Sequence, residues 1–368
     1  MAHRALDKKI APASYLHISS MAELKFMPEL KRQKTRREAL QVQGNDRSLA
    51  ARAAWLSFIG GYTQEEIAQK LGLSRVKINR LIAEATEAGL VRVFVEGNAA
   101  ECVALEDRIA AHWKLDFCSV SPTVGEGLLP LRTLAAAGAH YLHNVLERGE
   151  KKLIGIGHGR TLDEVVKYLP RAKRPSVRFV SLLGSLTRHA AANPFDVIHR
   201  LAEVTGAECY FMPAPFFADS MEDKKVLLGQ KGLKDVFNLA RAAELYVVGI
   251  GEIGAHAHML ATGMITEKEL REVKLAGAVG EVLGRFLDKN GRPVHAGLNE
   301  RAVGIKLEEI EGKPVVAIAG GEDKPQAIMA SLESRVIKGL VTDEATAKTI
   351  VEIIDAGAKA GGLQKAKR

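Results

Sequence analysis

The run from Tyr62 to Ile82 restricts the fold of this chain more than any other segment. Thr63 stands three residues before Glu66, the spacing of a capping box, in which hydroxyl and carboxylate each satisfy an amide that a helix start leaves unpaired. Ile67, Ala68 and Leu71 follow at helical spacing, and Gly72 stops the helix. Ser74 caps a second helix, in which Val76, Ile78, Leu81, Ile82 and Ala85 read as the apolar face and Arg75, Lys77, Asn79 and Arg80 as the opposite one. Ala68 is small enough for two helices to cross closely, and Gly72 relieves the backbone at the turn between them. Upstream, Leu49, Ala53, Leu56 and Ile59 predict a preceding helix that ends at Gly60-Gly61; downstream, Leu90–Val95 reads as a short strand. A helix-turn-helix is therefore predicted. Thr63, Ser74, Arg75, Lys77, Asn79 and Arg80 are its candidate DNA contacts; Asn79 and Arg80 suit adenine and guanine, and spacing does not decide which of them reads a base.

Charge agrees with that reading without requiring it. Lysine and arginine number 52 against 44 aspartates and glutamates, a net +8 that fits any polyanion, nucleic acid or anionic surface alike. Much of the excess lies early, at Lys25, Lys31, Arg32, Lys34, Arg36, Arg37, Arg47 and Arg52. No apolar run approaches the roughly 20 residues that span a bilayer, and the first thirty residues lack a signal core, so a cytoplasmic protein with no membrane partner is expected. Cys102, Cys118 and Cys209 form no CxxC pair, which predicts buried reduced thiols rather than disulfides or structural zinc. A chain of 368 residues, 47% hydrophobic, has material for two domains. The expected division is a basic flexible extension over 1–46, a DNA-binding domain over 47–97, a helix over 98–114 and an α/β domain over 115–368. The helix, with Val103, Leu105, Ile109 and Ala110 on its apolar face, reads equally as an oligomerisation element or as packing on the α/β domain.

Beyond Gly97 short apolar runs alternate with helical stretches, the pattern of βαβ units around a mainly parallel sheet. Strands are predicted at Phe117–Val120, Leu153–Ile156, Val177–Leu182, Glu208–Phe211, Leu245–Val248, Val315–Ile318 and Gly339–Val341. After the Leu153–Ile156 strand comes Gly155-Ile156-Gly157-His158-Gly159-Arg160-Thr161, then a helix over Leu162–Leu169. Glycines there turn backbone amides inward, the helix start adds partial positive charge, and Arg160 and Thr161 supply further contacts, a combination suited to phosphate. Gly320, Gly321 and Lys324 form a second such corner, ahead of a helix over Ala327–Leu332. The run Gly249–Gly254 matches GxGxxG, but no long helix follows, so Gly251 and Glu252 are assigned to a sugar pocket and not to a dinucleotide site. His256 and His258 lack a third metal ligand at fitting spacing and are read as structural or pocket-lining. No cofactor and no metal are expected.

These residues resemble the SorC family of bacterial sugar-responsive transcriptional regulators over roughly Ser48 to the C-terminus. The resemblance rests on Leu71–Ser74 through Leu81, the 155–161 loop, Asn193-Pro194 and Met212–Pro215. It extends over Val248–Gly251, Gly277–Glu281, Ala319–Lys324 and Val341–Ala347. It implies a winged-helix-like all-α DNA-binding domain and an effector domain similar to sugar-phosphate isomerases but used for sensing. It also implies dimers or tetramers, and a phosphorylated sugar held by loops at 155–161, 183–187, 249–252 and 320–324, which adds Gly184 and Ser185 to the candidate site. His158 stands where the family often carries tryptophan, and Ser185 where glycine is common.

The expected function is a transcriptional regulator, acting as a repressor, of a carbohydrate or polyol catabolic operon, with double-stranded operator DNA, a phosphorylated sugar or polyol and further copies of itself as partners. It is not expected to be an enzyme. The alternative, a sugar-phosphate isomerase with a DNA-binding appendage, needs a carboxylate base, for which Asp163, Glu252 and Asp288 are the candidates.

Overall fold

A computed structural model describes residues 48–91, 99–123, 130–184, 197–254 and 257–365. The basic extension, Ser185, Asn193-Pro194, His256 and most of the strand predicted at Leu90–Val95 lie outside them. The chain divides into two compact units, 1–93 and 94–368.

The first unit holds three helices: α1 over 48–58, α2 over Gln64–Leu71 and α3 over Arg75–Glu87. Each boundary has a local cause. The amide of Glu66 donates to Thr63 Oγ1 at 3.4 Å while Glu66 Oε2 accepts the Thr63 amide at 2.8 Å, closing the predicted capping box. Gly72 ends α2 at φ 65°, a left-handed conformation that a side chain resists. Ser74 Oγ accepts the Lys77 amide at 3.3 Å and starts α3. Ala50, Ala53 and Ala54 of α1, Ile67 and Ala68 of α2 and Ile78, Leu81 and Ala85 of α3 form the core of this unit. Small residues on α1 and at Ala68 let the three helices approach closely. Val76 departs from the predicted apolar face: it is 80% exposed.

The second unit is a three-layer α/β/α structure. In chain order it comprises α4 Ala99–Trp113, β1 Phe117–Ser121, α5 Pro130–Arg148, β2 Leu153–Ile156, α6 Arg160–Lys167, β3 Arg178–Ser181, α7 Val197–Thr205 and β4 Glu208–Tyr210. Then follow α8 Met221–Gly229, α9 Lys231–Ala242, β5 Leu245–Val248, α10 His258–Ala261, α11 Glu267–Leu275, β6 Ala278–Val282 and β7 Arg285–Asp288. Last come α12 Gly297–Arg301, β8 Val315–Ile318, α13 Pro325–Glu333, β9 Gly339–Asp343 and α14 Glu344–Lys365. Seven strands form one sheet in the order β1-β9-β8-β5-β2-β3-β4, with every neighbouring pair parallel.

Both faces of the sheet are covered, so its central strands β2, β5 and β8 are apolar throughout and alternate residues feed different layers. In β5, Leu245 and Val247 join α5, α6 and α7 on one side, while Tyr246 and Val248 join α4, α9, α13 and α14 on the other. Cys102, Leu105, Ile109 and Trp113 of α4 are buried in that second layer, and Arg335 and Glu333 bind the Trp113 backbone and indole. Val103, placed by the sequence on the same face, is instead 47% exposed. The one element that the strand pattern missed is the antiparallel hairpin β6–β7. Its turn is Leu283-Gly284, both at positive φ, and leucine there gives none of the Asn-Gly or Asp-Gly signal by which such turns are recognised.

Candidate functional site

Sheet order determines where a ligand would sit. From β2 the chain moves to β3 and β4 on one side, whereas from β5 it moves to β8 and β9 on the other; β2 and β5 are neighbours. Loops leaving these two strands in opposite directions open a crevice at their carboxyl ends, the usual ligand position in such sheets. A cleft of about 690 Å³, open solvent included, lies there. Gly157, His158, Gly159, Arg160, Thr161 and Leu162 line it after β2; Gly249, Ile250, Gly251 and Glu252 line it after β5. Leu183, Phe216, His258, Met259, Glu281, Leu283 and Lys324 complete the wall.

The cleft wall combines cations with groups that burial keeps neutral. Arg160 and Lys324 bring positive charge, and α6 begins at Gly159 with no side-chain cap, so its first amides add partial positive charge. Lys324 Nζ donates to the Ile250 carbonyl at 2.8 Å. Burial, and then Arg160, lower the lysine to about 8 against the pull of Glu252, Glu281 and Asp343. Beside these cations stand neutral imidazoles. Burial first, and His258 second, push His158 down to about 3; burial, Arg160 and Lys324 push His258 to about 4. His158 packs edge-on against Phe216 at 4.9 Å, and its covered Nε2 has no hydrogen-bond partner among the described residues. Glu281 is 8% exposed and raised to about 7 by burial, which outweighs the Gly284 amide, Lys324 and Arg285. Its Oε1 accepts the Gly284 amide, and its backbone pairs with Gly251 in both directions at 2.8 and 2.9 Å. The hairpin thus supplies two residues of the cleft wall, Glu281 and the turn residue Leu283.

In the first unit, α3 turns Ile78, Leu81 and Ala85 inward and leaves Ser74, Arg75, Val76, Asn79 and Arg80 exposed, with Lys77 half-buried. Arg80 Nε meets Glu84 at 3.1 Å, both exposed, a pair too weak to hold the guanidinium from another partner. The Thr63 hydroxyl is occupied by its capping box.

The sugar-binding domain family model, Sugar-bind, matches residues 98–352, the greater part of the chain. The erythritol catabolism regulatory protein EryD of Brucella abortus is 48% identical over 306 residues, spanning 83% of this chain and 97% of its own length. The transcriptional regulator LsrR of Klebsiella pneumoniae is 33% identical over 313 residues, spanning 84% and 94%. The full-length sorbitol operon regulator SorC from Klebsiella pneumoniae has a similar structure, with a TM-score of 0.64 at 25% identity over 82% of this chain and 98% of that one. The chain belongs to the SorC family of sugar-binding transcriptional regulators.

It is a sugar-responsive regulator; its relatives are regulators, not enzymes. Of the candidate bases, only Glu252 of this SorC-family chain lines the cleft, and its Oε2 is taken by the Gly254 amide. Asp163 is buried between Arg200 Nε at 2.8 Å and Lys167 Nζ at 3.0 Å, and Asp288 accepts the Asn290 and Arg292 amides in a surface turn. Among the described residues no cluster of three or more His, Cys, Asp and Glu is placed for a metal, and no helix is long and apolar enough to cross a membrane.

Not every candidate reaches the cleft. Gly157, His158, Gly159, Arg160, Thr161, Gly251, Glu252 and Lys324 do. Gly155 lies inside β2, and Gly184 is wedged where a Cβ would stand 2.3 Å from the Pro215 carbonyl oxygen. Gly320 abuts Asp343, whose Oδ2 would lie 2.0 Å from a Cβ, and the Gly321 amide already donates to Asp343 at 2.9 Å and Thr346 at 2.8 Å. Gly155, Gly184 and Gly320 serve packing, Gly321 serves a turn at φ 119°, and the second corner delivers only Lys324 to the cleft wall. Sequence reasoning missed Phe216, Met259, Leu283 and Glu281 as lining residues. Glu281 stands in a family-like motif, which was the available signal; the others come from loops distant in sequence.

Proposed function

We propose that this regulator controls an operon for catabolism of a polyol of the erythritol class, and that its effector is the phosphorylated polyol, held in the cleft between the β2 and β5 loops. The presence of Arg160, Lys324 and the uncapped start of α6 in that one cleft carries the reading, because all three favour an anionic group there. The neutral rings of His158 and His258, and Glu281 with its raised carboxyl, supply hydrogen bonds for hydroxyls. The name of the relative sharing 48% identity supports a four-carbon polyol. In this reading α3 enters the major groove of operator DNA, and the chain acts as a dimer or tetramer, since one such module buries too little surface for tight selective binding. It represses until the effector shifts subunit packing.

The test uses the full chain with erythritol phosphate, erythritol and inorganic phosphate, each followed by thermal shift and by electrophoretic mobility of a duplex selected by the protein. The phosphate ester is expected to raise Tm most and to weaken DNA binding. An equal response to unphosphorylated erythritol would overturn the assignment of an anionic group to Arg160 and Lys324.

A further inference from the structure

Val76 has no role in the fold. It is 80% exposed in the first turn of α3, buries almost nothing and, being β-branched, is a poorer helix former than alanine. It stands roughly 200° around the helix from the buried Ile78, and so points directly away from the core. Asn79, Arg80 and Ala83, at +3, +4 and +7 from it, continue the same outward stripe, all exposed. Arg75 and Lys77 flank it within one turn, which suits this face to a polyanion and makes an apolar protein partner a poor match. In the major groove the sole apolar group on a base edge is the C5-methyl of thymine.

We propose that Val76 is a specificity-determining residue that reads a thymine methyl in the operator, beside the polar contacts of Asn79 and Arg80. This inference rests on the proposal that α3 enters the major groove. Recognition helices contact base edges through their N-terminal residues, which is where Val76 stands.

The experiment takes a duplex selected from random sequence by the full wild-type chain and replaces each dT in turn by dU, which removes only the methyl. At one thymine per half-site the wild type is expected to bind about fourfold more weakly, the fold-change matching burial of one methyl-sized group. Val76→Ala is expected to bind the dT duplex about fourfold more weakly, to lose less than about a further twofold on the dU duplex, and to keep or slightly raise its Tm, since alanine is the better helix former. Absence of any methyl-sensitive thymine for the wild type, or a full dU penalty retained by Val76→Ala, overturns the inference alone. Failure of the wild type to select any duplex overturns both it and the DNA-binding reading.

Discussion

Replacing Lys324 by methionine is expected to stabilise the free protein while weakening its grip on an anionic effector. The ammonium is held at a cost: burial lowers it from 10.5 to about 8, which corresponds to about 3 kcal/mol at pH 7, reduced by partial exposure of the side chain to about 2 kcal/mol. Below pH 8 the group is charged in folded and unfolded chains alike, so the full penalty is present, and it is relieved as pH rises from about 8 to 10.5. Methionine removes the penalty but deprives the Ile250 carbonyl of its donor, at about 1 kcal/mol. The net gain of about 1 kcal/mol raises Tm by about 2–4 °C for a unit of this size, and the gain fades above about pH 10. Loss of a charge-assisted contact worth about 1.5–3 kcal/mol weakens erythritol phosphate by about 10- to 150-fold. Scanning calorimetry without ligand and isothermal titration with it measure the two sides. A variant that melts lower than wild type at pH 7 and binds the phosphate equally well would show that Lys324 is a structural cation and refute the argument.

Glu281→Gln should separate from wild type as pH rises. The folded carboxyl is raised from 4.5 to about 7, so its stabilising contribution is complete below 4.5 and is lost as pH climbs through 7; the glutamine variant, neutral throughout, should gain about 2–3 kcal/mol on wild type between pH 5 and 8. Parallel Tm curves for the two proteins would contradict the burial ascribed to this carboxylate. Gly184→Ala forces a Cβ against the Pro215 and Ala214 carbonyls at 2.3 and 2.6 Å, both backbone and unable to yield cheaply. A loss of about 3 kcal/mol, or about 6–12 °C in Tm, is expected, and an unchanged melting point would place Gly184 elsewhere than in the wedge.

Features carried by neighbours in sequence were legible. The Thr63–Glu66 box, the Gly72 stop and the Ser74 cap each join residues no more than four apart, and apolar runs located all seven strands of the parallel sheet within a few residues. Val76 was misplaced because Val76 and Ile78, two residues apart, face nearly opposite sides of a helix, so only one of them packs; the crossing of α3 with α1 and α2 selects Ile78. The β6–β7 hairpin escaped because a leucine occupies its turn, and with it went Glu281, whose carboxylate binds that turn and faces the cleft.

By itself, then, the amino-acid order determined the helix-turn-helix, the α/β class and the loop from Gly157 to Thr161, since caps, glycine corners and periodicity act across a turn or a strand. Tertiary structure alone decided which glycines line a cavity and which merely let chains touch. Gly155 pairs with Tyr246, and Gly320 presses on Asp343, through contacts between segments far apart in the chain. The cleft exists because β2 and β5 lie side by side while their successors diverge, and strand order is a property of long-range pairing that no local pattern encodes.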